Sequence, residues 1–116
     1  MQYIFTKDQV PVFVKHGVSM WQLGGTEEQP EKIIYQETTK GHDEEFANTV
    51  STFKYYILEG DGEFVISGVS YPVTDGSVVI IPPNTPFYYK GNLKQILVTT
   101  PSWKEGTDVH IKDIVL

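Results

Sequence analysis

Apolar and polar residues alternate along most of the chain, in short runs rich in β-branched and aromatic residues. No segment repeats its apolar positions with a sustained helical period, so the pattern predicts no long helix. Turn-forming dipeptides such as Asp61-Gly62, Ser67-Gly68 and Asp75-Gly76 separate several of the runs. Regularly spaced short strands with such turns predict a sandwich or barrel. The predicted strands cover residues 12–21, 32–38, 49–58, 63–67, 69–73, 77–81, 87–89 and 95–99, with a last strand over 109–116.

The polar stretches between the runs are too short to join separate domains. Residues 24–31 and 39–45 are predicted to be polar loops, and the 116-residue length fits one domain. We expect a core barrel over about residues 32–100. The strands over 10–21 and 103–116 are expected to pack outside it.

Charge and composition narrow the class of ligand. The net charge is −6, all nine basic residues are lysines, and there is no cysteine. An acidic chain without arginine is a poor candidate for nucleic acid, since arginine supplies the planar fork that grips phosphates. The first residues lack the pattern of a signal peptide, and no apolar run reaches the ~20 residues of a membrane span. We therefore expect a cytoplasmic protein that binds neither membrane nor nucleic acid.

Two segments resemble the cupin superfamily. Residues 55–62 read YYILEGDG and residues 75–86 read DGSVVIIPPNTP. The resemblance implies an all-β double-stranded β-helix, a jelly-roll barrel. Cupins of this size commonly pair through an N-terminal strand, which implies a homodimer, and the apolar run over residues 10–14 agrees with such pairing.

The motif positions that hold metal in typical cupins carry other residues here. The framework glycines of the first motif fall on Gly41 and Gly60. In the second motif the first glycine falls on Gly76 and the proline on Pro82, whereas Asn84 and Gly91 stand where that motif has glycine and asparagine. The four positions that would supply metal ligands are Ala47, Thr49, Phe53 and Phe87. The three histidines, His16, His42 and His110, lie far apart in the sequence, with no spacing that pairs ligands on one strand. We therefore predict no metal and no cofactor.

Alternate residues of a strand face the same side of a sheet, and this alternation predicts which residues line the barrel in place of metal ligands. Inward-facing positions two residues apart carry apolar, hydroxyl and phenol groups, as a pocket for an uncharged ligand such as a sugar requires. The predicted lining residues are Ala47, Thr49, Phe53, Tyr55, Phe87 and Tyr89. Strong anions are not expected, for want of arginine. The alternative for Phe53 and Phe87 is that they fill the barrel, and for the tyrosines that they bond internally.

Two further residues are candidates for acid–base chemistry. His42 stands beside Asp43, Glu44 and Glu45, where a histidine would titrate near neutral pH. The functional interpretations are a relocated metal site or a general acid or base at the barrel mouth, and a solvated polar loop is the favoured interpretation. Glu37 is either a buried acid with a raised pKa or an exposed strand end.

Three functions follow in order of preference. The first is a metal-free binding protein for a small hydroxylated or apolar molecule. The second is a metal-independent isomerase, epimerase or cyclase that uses tyrosine, His42 or Glu37 for proton transfer. The third is a homodimeric scaffold whose barrel is filled.

Overall fold

The computed structural model describes residues 3–26 and 28–116, and these residues form an all-β molecule. The one helix within the described residues is a single 3₁₀ turn over Lys7–Gln9. It is too short to cross a bilayer. The strands are β1 Phe13–Lys15, β2 Val18–Gly24, β3 Lys32–Thr38, β4 Glu44–Asn48, β5 Thr52–Ile66, β6 Val69–Val73, β7 Val78–Ile81, β8 Phe87–Thr100 and β9 Asp108–Asp113. The all-β prediction is confirmed.

These strands form one curled sheet built around two long strands. The order β1-β2-β3-β8-β4-β9 runs across one part, while β5 pairs with β6, β7 and β8. Strands β5 and β8 pair antiparallel from Thr52↔Thr100 to Ile66↔Phe87, with a bulge between Ile57 and Glu59. The curl of this pair encloses an aromatic core of Phe46, Phe53, Tyr55, Phe64, Phe87 and Tyr89.

Glycines let the two long strands cross closely, and this overturns a predicted turn. Asp61-Gly62 lies within β5, not in a turn, because Gly62 pairs with Gly91 of β8. A β-carbon on Gly91 would stand 2.5 Å from the Asp61 carbonyl oxygen. The predicted turns at Ser67-Gly68 and Asp75-Gly76 are confirmed.

Several predicted strand boundaries were wrong. The strand predicted over 12–21 is two strands, since His16 and Gly17 adopt positive φ of 52° and 81° and reverse the chain. The loop predicted over 39–45 runs into β4, which pairs with β9. Strand β5 starts at Thr52 rather than 49, β8 joins two predicted strands, and β9 ends at Asp113.

Candidate active site

The curled sheet encloses an open cavity of about 150 Å³. Its wall is mainly apolar and aromatic, with polar groups concentrated at its two ends, which is the usual make-up of a small-molecule site. The cavity is lined by Phe13, Lys15, Met20, Gln22, Lys32, Ile34, Gln36, His42, Glu44, Phe46, Phe53, Tyr55, Tyr89, Leu97, Thr99, Trp103 and Asp108.

His42 is held in the cavity wall by its backbone. Gly41, at φ 119°, bridges to Lys90 and donates its N–H to Thr38 Oγ1 at 2.8 Å. His42 then donates its own N–H to the Tyr89 carbonyl oxygen at 2.8 Å. The side chains of His42, Glu44 and Phe46 alternate toward the cavity, whereas Asp43 is exposed. The solvated-loop interpretation of His42 was therefore wrong, because the residue is only 4% exposed.

The hydrogen bonding of His42 fixes its tautomer. Its Nδ1 lies 2.7 Å from the Glu44 carbonyl oxygen. A carbonyl only accepts, so Nδ1 carries the proton and Nε2 keeps the lone pair. Burial lowers the pKa of His42 to about 4, against smaller raising effects of Glu44 and Asp43. The imidazole is therefore neutral at physiological pH, and the expectation that it titrates near neutrality was wrong.

Two buried tyrosines lie beside this histidine. The ring centroids of Tyr89 and His42 are 5.5 Å apart, and those of Tyr89 and Tyr55 are 5.6 Å apart. Burial raises the pKa of both phenols far above its ordinary value. Both therefore stay protonated and serve as hydrogen-bond donors. The Tyr55 hydroxyl has no hydrogen-bond partner among the described residues.

Buried amides hold the second tyrosine. Gln36 Oε1 accepts from the Tyr89 hydroxyl at 3.1 Å and from Gln95 Nε2 at 2.7 Å. The Nε2 of Gln36 faces only the thioether of Met20, at 3.7 Å, and the Gln95 Oε1 is buried without a partner. The network thus fixes Tyr89 and leaves Gln36 with unused donor capacity at the cavity wall.

A second polar group lies around Trp103. The indole N–H donates to Asp108 Oδ2 at 3.1 Å, and Lys15 Nζ pairs with the same oxygen at 3.5 Å. Lys32 Nζ donates to the Trp103 carbonyl at 3.0 Å and lies 5.2 Å from the indole centroid. Trp103 is thus part of the cavity wall.

Glu44 brings together the two histidines that the sequence left without a role. Its carboxylate oxygens lie 3.2 Å from His16 Nε2 and 2.7 Å from His110 Nδ1. The ring of His16 is also 5.0 Å from that of His42. Nevertheless, no group of three or more histidine, aspartate or glutamate side chains in residues 3–26 and 28–116 is arranged to hold a metal ion.

The structure places the predicted lining residues in three different environments. Phe53, Tyr55 and Tyr89 face the cavity. Phe87 and Ala47 are buried but do not line it, and Phe87 packs 4.7 Å from the Phe46 ring. Thr49 is exposed after the end of β4 and donates to the Thr107 carbonyl at 3.0 Å. The parity that linked Thr49 to Phe53 fails because the chain turns between β4 and β5.

Glu37 lies on the opposite face of β3 from the cavity. It accepts from the Tyr35 hydroxyl at 2.7 Å and faces Lys7 Nζ at 3.8 Å. This contact contributes, after burial, to a pKa of about 12 for Tyr35. Glu37 therefore does not reach His42 or the two buried tyrosines.

Sequence reasoning left the face of Glu37 on β3 open and did not single out the residues of the opposite, cavity-lining face. The cavity residues of this strand are Lys32, Ile34 and Gln36, whereas Tyr35 and Glu37 point outward. The signal was present, since a glutamine and a lysine stand at even spacing with a core isoleucine in a strand. Trp103 and Asp108 carried no such signal, because they reach the cavity from outside the predicted barrel.

Comparison with solved structures identifies the fold of the chain. It has the cupin fold, as the sequence resemblance implied. An RmlC-like cupin from Shewanella frigidimarina superposes with a TM-score of 0.76 at 17% identity, covering 90% of this chain and 95% of that one. KdgF from Halomonas gives 0.75 at 13% identity, covering 90% and 97%. No family model matches the sequence, and no curated protein matches it.

A more similar structure is that of Pac13, described as a unique nucleoside dehydratase. It superposes with a TM-score of 0.94 at 26% identity and covers 99% of this chain and 95% of that one. Streptomyces Pac13 has also been solved with uridine as the variants H42Q, Y89F and Y55F, each at 25% identity. This chain has His42, Tyr55 and Tyr89 at the same residue numbers, and all three line its cavity.

Proposed function

We propose that this protein is a metal-independent dehydratase for a nucleoside or closely related hydroxylated ring compound. The observation that carries the proposal is the convergence of His42, Tyr55 and Tyr89 on one cavity. It is supported by the similarity to Pac13, whose uridine-bound variants alter a histidine and two tyrosines of the same numbers. In this proposal His42 is the base, and Tyr55 and Tyr89 are the two hydroxyl donors.

Loss of water from such a ligand needs a base and an acid. His42 Nε2 takes a proton from carbon, the electron pair of that C–H bond becomes the new double bond, and the C–O bond breaks. The departing oxygen accepts hydrogen bonds from the tyrosine hydroxyls and leaves as water when it gains the proton that the imidazolium carries. A weakly basic imidazole removes only an acidic proton, so the reacting carbon should lie next to a carbonyl.

The cavity suits this chemistry electrostatically. The two tyrosines remain protonated because they are buried, so they can donate to an oxygen that gains negative charge. The Glu44 carbonyl directs the lone pair of His42 away from the backbone, and Phe46, with its ring 4.8 Å away, packs against the imidazole. These contacts give the base one orientation before the ligand arrives.

The test is a mass-spectrometric assay of purified protein with ribonucleosides and with nucleosides oxidised at a sugar carbon. The proposal predicts a product lighter by one water, formed by chelator-treated wild-type protein. His42→Gln should slow its formation by roughly 10²–10⁴-fold and leave the circular dichroism spectrum unchanged. A product of unchanged mass would instead favour an isomerase or epimerase, and binding without any product would favour a binding protein.

A further inference from the structure

The cavity contains a buried lysine that the proposed chemistry at His42 does not use. Lys32 is 5% exposed, and its ammonium donates to one acceptor, the Trp103 carbonyl at 3.0 Å. A lysine has three donors and no acceptor, so two donors remain for another group. Burying an ammonium with unused donors is costly, which makes Lys32 a residue whose presence needs an explanation.

The neighbouring charges do not satisfy Lys32. The nearby carboxylate, that of Asp108, contacts Lys15 at 3.5 Å, the indole N–H of Trp103 at 3.1 Å and Asn48 Nδ2 at 2.9 Å. No carboxylate of the described residues lies within ion-pair distance of Lys32. At the other end of the cavity, Glu44 is engaged by His16 and His110. Of the two lysines among the described cavity residues, Lys15 and Lys32, it is thus Lys32 that lacks an acidic partner.

Lys32 also lies far from the residues proposed to react. It is four residues before Gln36 on β3, and four residues of strand span ~13 Å. Gln36 binds the Tyr89 hydroxyl, which places the His42 group at that level of the cavity. Lys32 therefore faces the other end of a bound molecule, beside the indole ring of Trp103.

The chemistry of water loss orients a nucleoside between these two ends. The hydroxyl groups of a nucleoside are on the sugar, so the sugar must lie against His42, Tyr55 and Tyr89. The base then extends toward Lys32 and Trp103. In a pyrimidine, the substituent at position 4 is the ring group farthest from the sugar bond. It is a carbonyl acceptor in uracil and an amino donor in cytosine.

We propose that Lys32 selects the nucleobase by donating to the carbonyl oxygen at position 4 of a uracil-type ring. The inference rests on the proposed function, since it requires a nucleoside in the cavity. An amino group there would place donors against donors and leave the ammonium unpaired. Lys32 is accordingly a specificity residue and takes no part in bond breaking.

The test compares dissociation constants for uridine, cytidine and 4-thiouridine by calorimetry. Wild-type protein should bind uridine at least about 10-fold more tightly than cytidine, with 4-thiouridine weaker than uridine because sulfur is a poorer acceptor. Lys32→Met should bring the uridine-to-cytidine ratio close to one. Lys32→Gln, which keeps a donor without charge, should give an intermediate ratio. Lys54→Met, at an exposed lysine on the outer face of the sheet, should leave the ratio unchanged.

The outcomes separate this inference from the proposed function. Equal wild-type affinities for uridine and cytidine, or an unchanged ratio in folded Lys32→Met, would overturn the role of Lys32 and leave the dehydratase proposal intact. Absence of binding by every nucleoside would overturn the nucleoside ligand and the role of Lys32 together. If Lys32→Met does not fold, the wild-type comparison of the three nucleosides decides, because it needs no variant.

Discussion

Burial and a backbone hydrogen bond shift the pKa of His42 in opposite directions. Burial among neighbouring rings disfavours the charged imidazolium and lowers the pKa. The Glu44 carbonyl accepts a hydrogen bond from Nδ1–H, which favours the imidazolium and raises the pKa. Burial has the larger effect, so the residue enters a reaction as a neutral base with a free Nε2.

Replacing His42 should separate binding from turnover. His42→Gln removes the base but keeps a side chain of similar size, and we expect turnover to fall by roughly 10²–10⁴-fold. Uridine affinity should change only a few-fold, since the corresponding Streptomyces variant still carries uridine. Steady-state kinetics together with calorimetry measure both quantities. Parallel loss of binding and turnover would assign His42 to ligand binding alone.

The low pKa of His42 also makes stability depend on pH. The unfolded histidine has a pKa of 6.5 and the folded one about 4, so the unfolded state binds the proton first. The stabilising effect is complete above pH 6.5 and is lost progressively as the pH falls toward 4. The loss is on the order of 3 kcal/mol, at about 1.4 kcal/mol for each pKa unit.

Urea unfolding between pH 7 and 4 measures this effect, and two variants assign it. His42→Gln should flatten the fall in the free energy of unfolding over that range. His110→Gln is the matched control, because contact with Glu44 raises the pKa of His110 and its protonation stabilises the fold at low pH. His110→Gln should therefore keep the fall or steepen it. An equally steep fall in wild type and His42→Gln would contradict the assignment.

At the level of elements, the approach of Gly41 to β8 positions the histidine. Gly41 has φ 119°, a conformation accessible essentially only to glycine, and a β-carbon there would fall on the Tyr89 carbonyl oxygen. That oxygen accepts the His42 N–H. The close approach thus aligns the histidine with the strand that carries Tyr89.

Gly41→Ala should therefore cost both stability and activity. We expect the free energy of unfolding to fall by roughly 3 kcal/mol or more, from backbone strain plus the collision with β8. Gly76→Ala is the control, since it also has positive φ, at 84°, but meets nothing within 4 Å, and should cost only about 1–2 kcal/mol. Equal losses in the two variants, measured by urea unfolding, would contradict a special role for the Gly41 contact.

The sequence predicted strands well where alternation was local, and poorly where long-range contacts decide. Strands β3 and β6 were predicted to the residue, because their alternating runs end at polar residues. The division between β1 and β2 was missed because His16 takes a positive φ that no Asn-Gly or Asp-Gly signal announced. Strand β5 passes through Gly60 and Gly62 only because β8 lies against them, which a single run of residues does not reveal.

The candidate site was only partly predictable for the same reason. Tyr55 and Tyr89 followed from strand parity, which is a local property. His42 was misjudged because its burial depends on β8 and on the hairpin at His16. Lys32 was passed over because a lysine in a strand normally reaches solvent, and its hydrogen bond to the Trp103 carbonyl is a long-range contact that the local sequence does not reveal.

For the whole molecule, the outer face of the sheet bears on the predicted homodimer. Tyr56 pairs with Ile96 of β8 and with Val78 of β7, which forms an apolar row across the sheet. Val78 and Ile80 are each 60% exposed. Contiguous exposed apolar residues on a sheet commonly mark an interface. The homodimer was predicted through the N-terminal strand, and this face is the place where we now expect the second copy of the chain.

Light scattering tests the dimer directly. We expect a mass twice the 13.1 kDa of the chain, and Ile80→Lys should shift it toward the monomer. Ile111→Lys, at an exposed position of β9 away from this face, should leave the mass unchanged. A monomeric mass for wild-type protein at tens of micromolar would contradict the prediction.

The most direct test of the account is a calorimetric titration of chelator-treated protein with uridine. We expect saturable binding of one uridine per chain, unchanged when zinc or another divalent metal is added back. Binding that appears only after metal is restored would contradict a site built from His42, Tyr55 and Tyr89 alone. Absence of binding at millimolar uridine would contradict the nucleoside ligand itself.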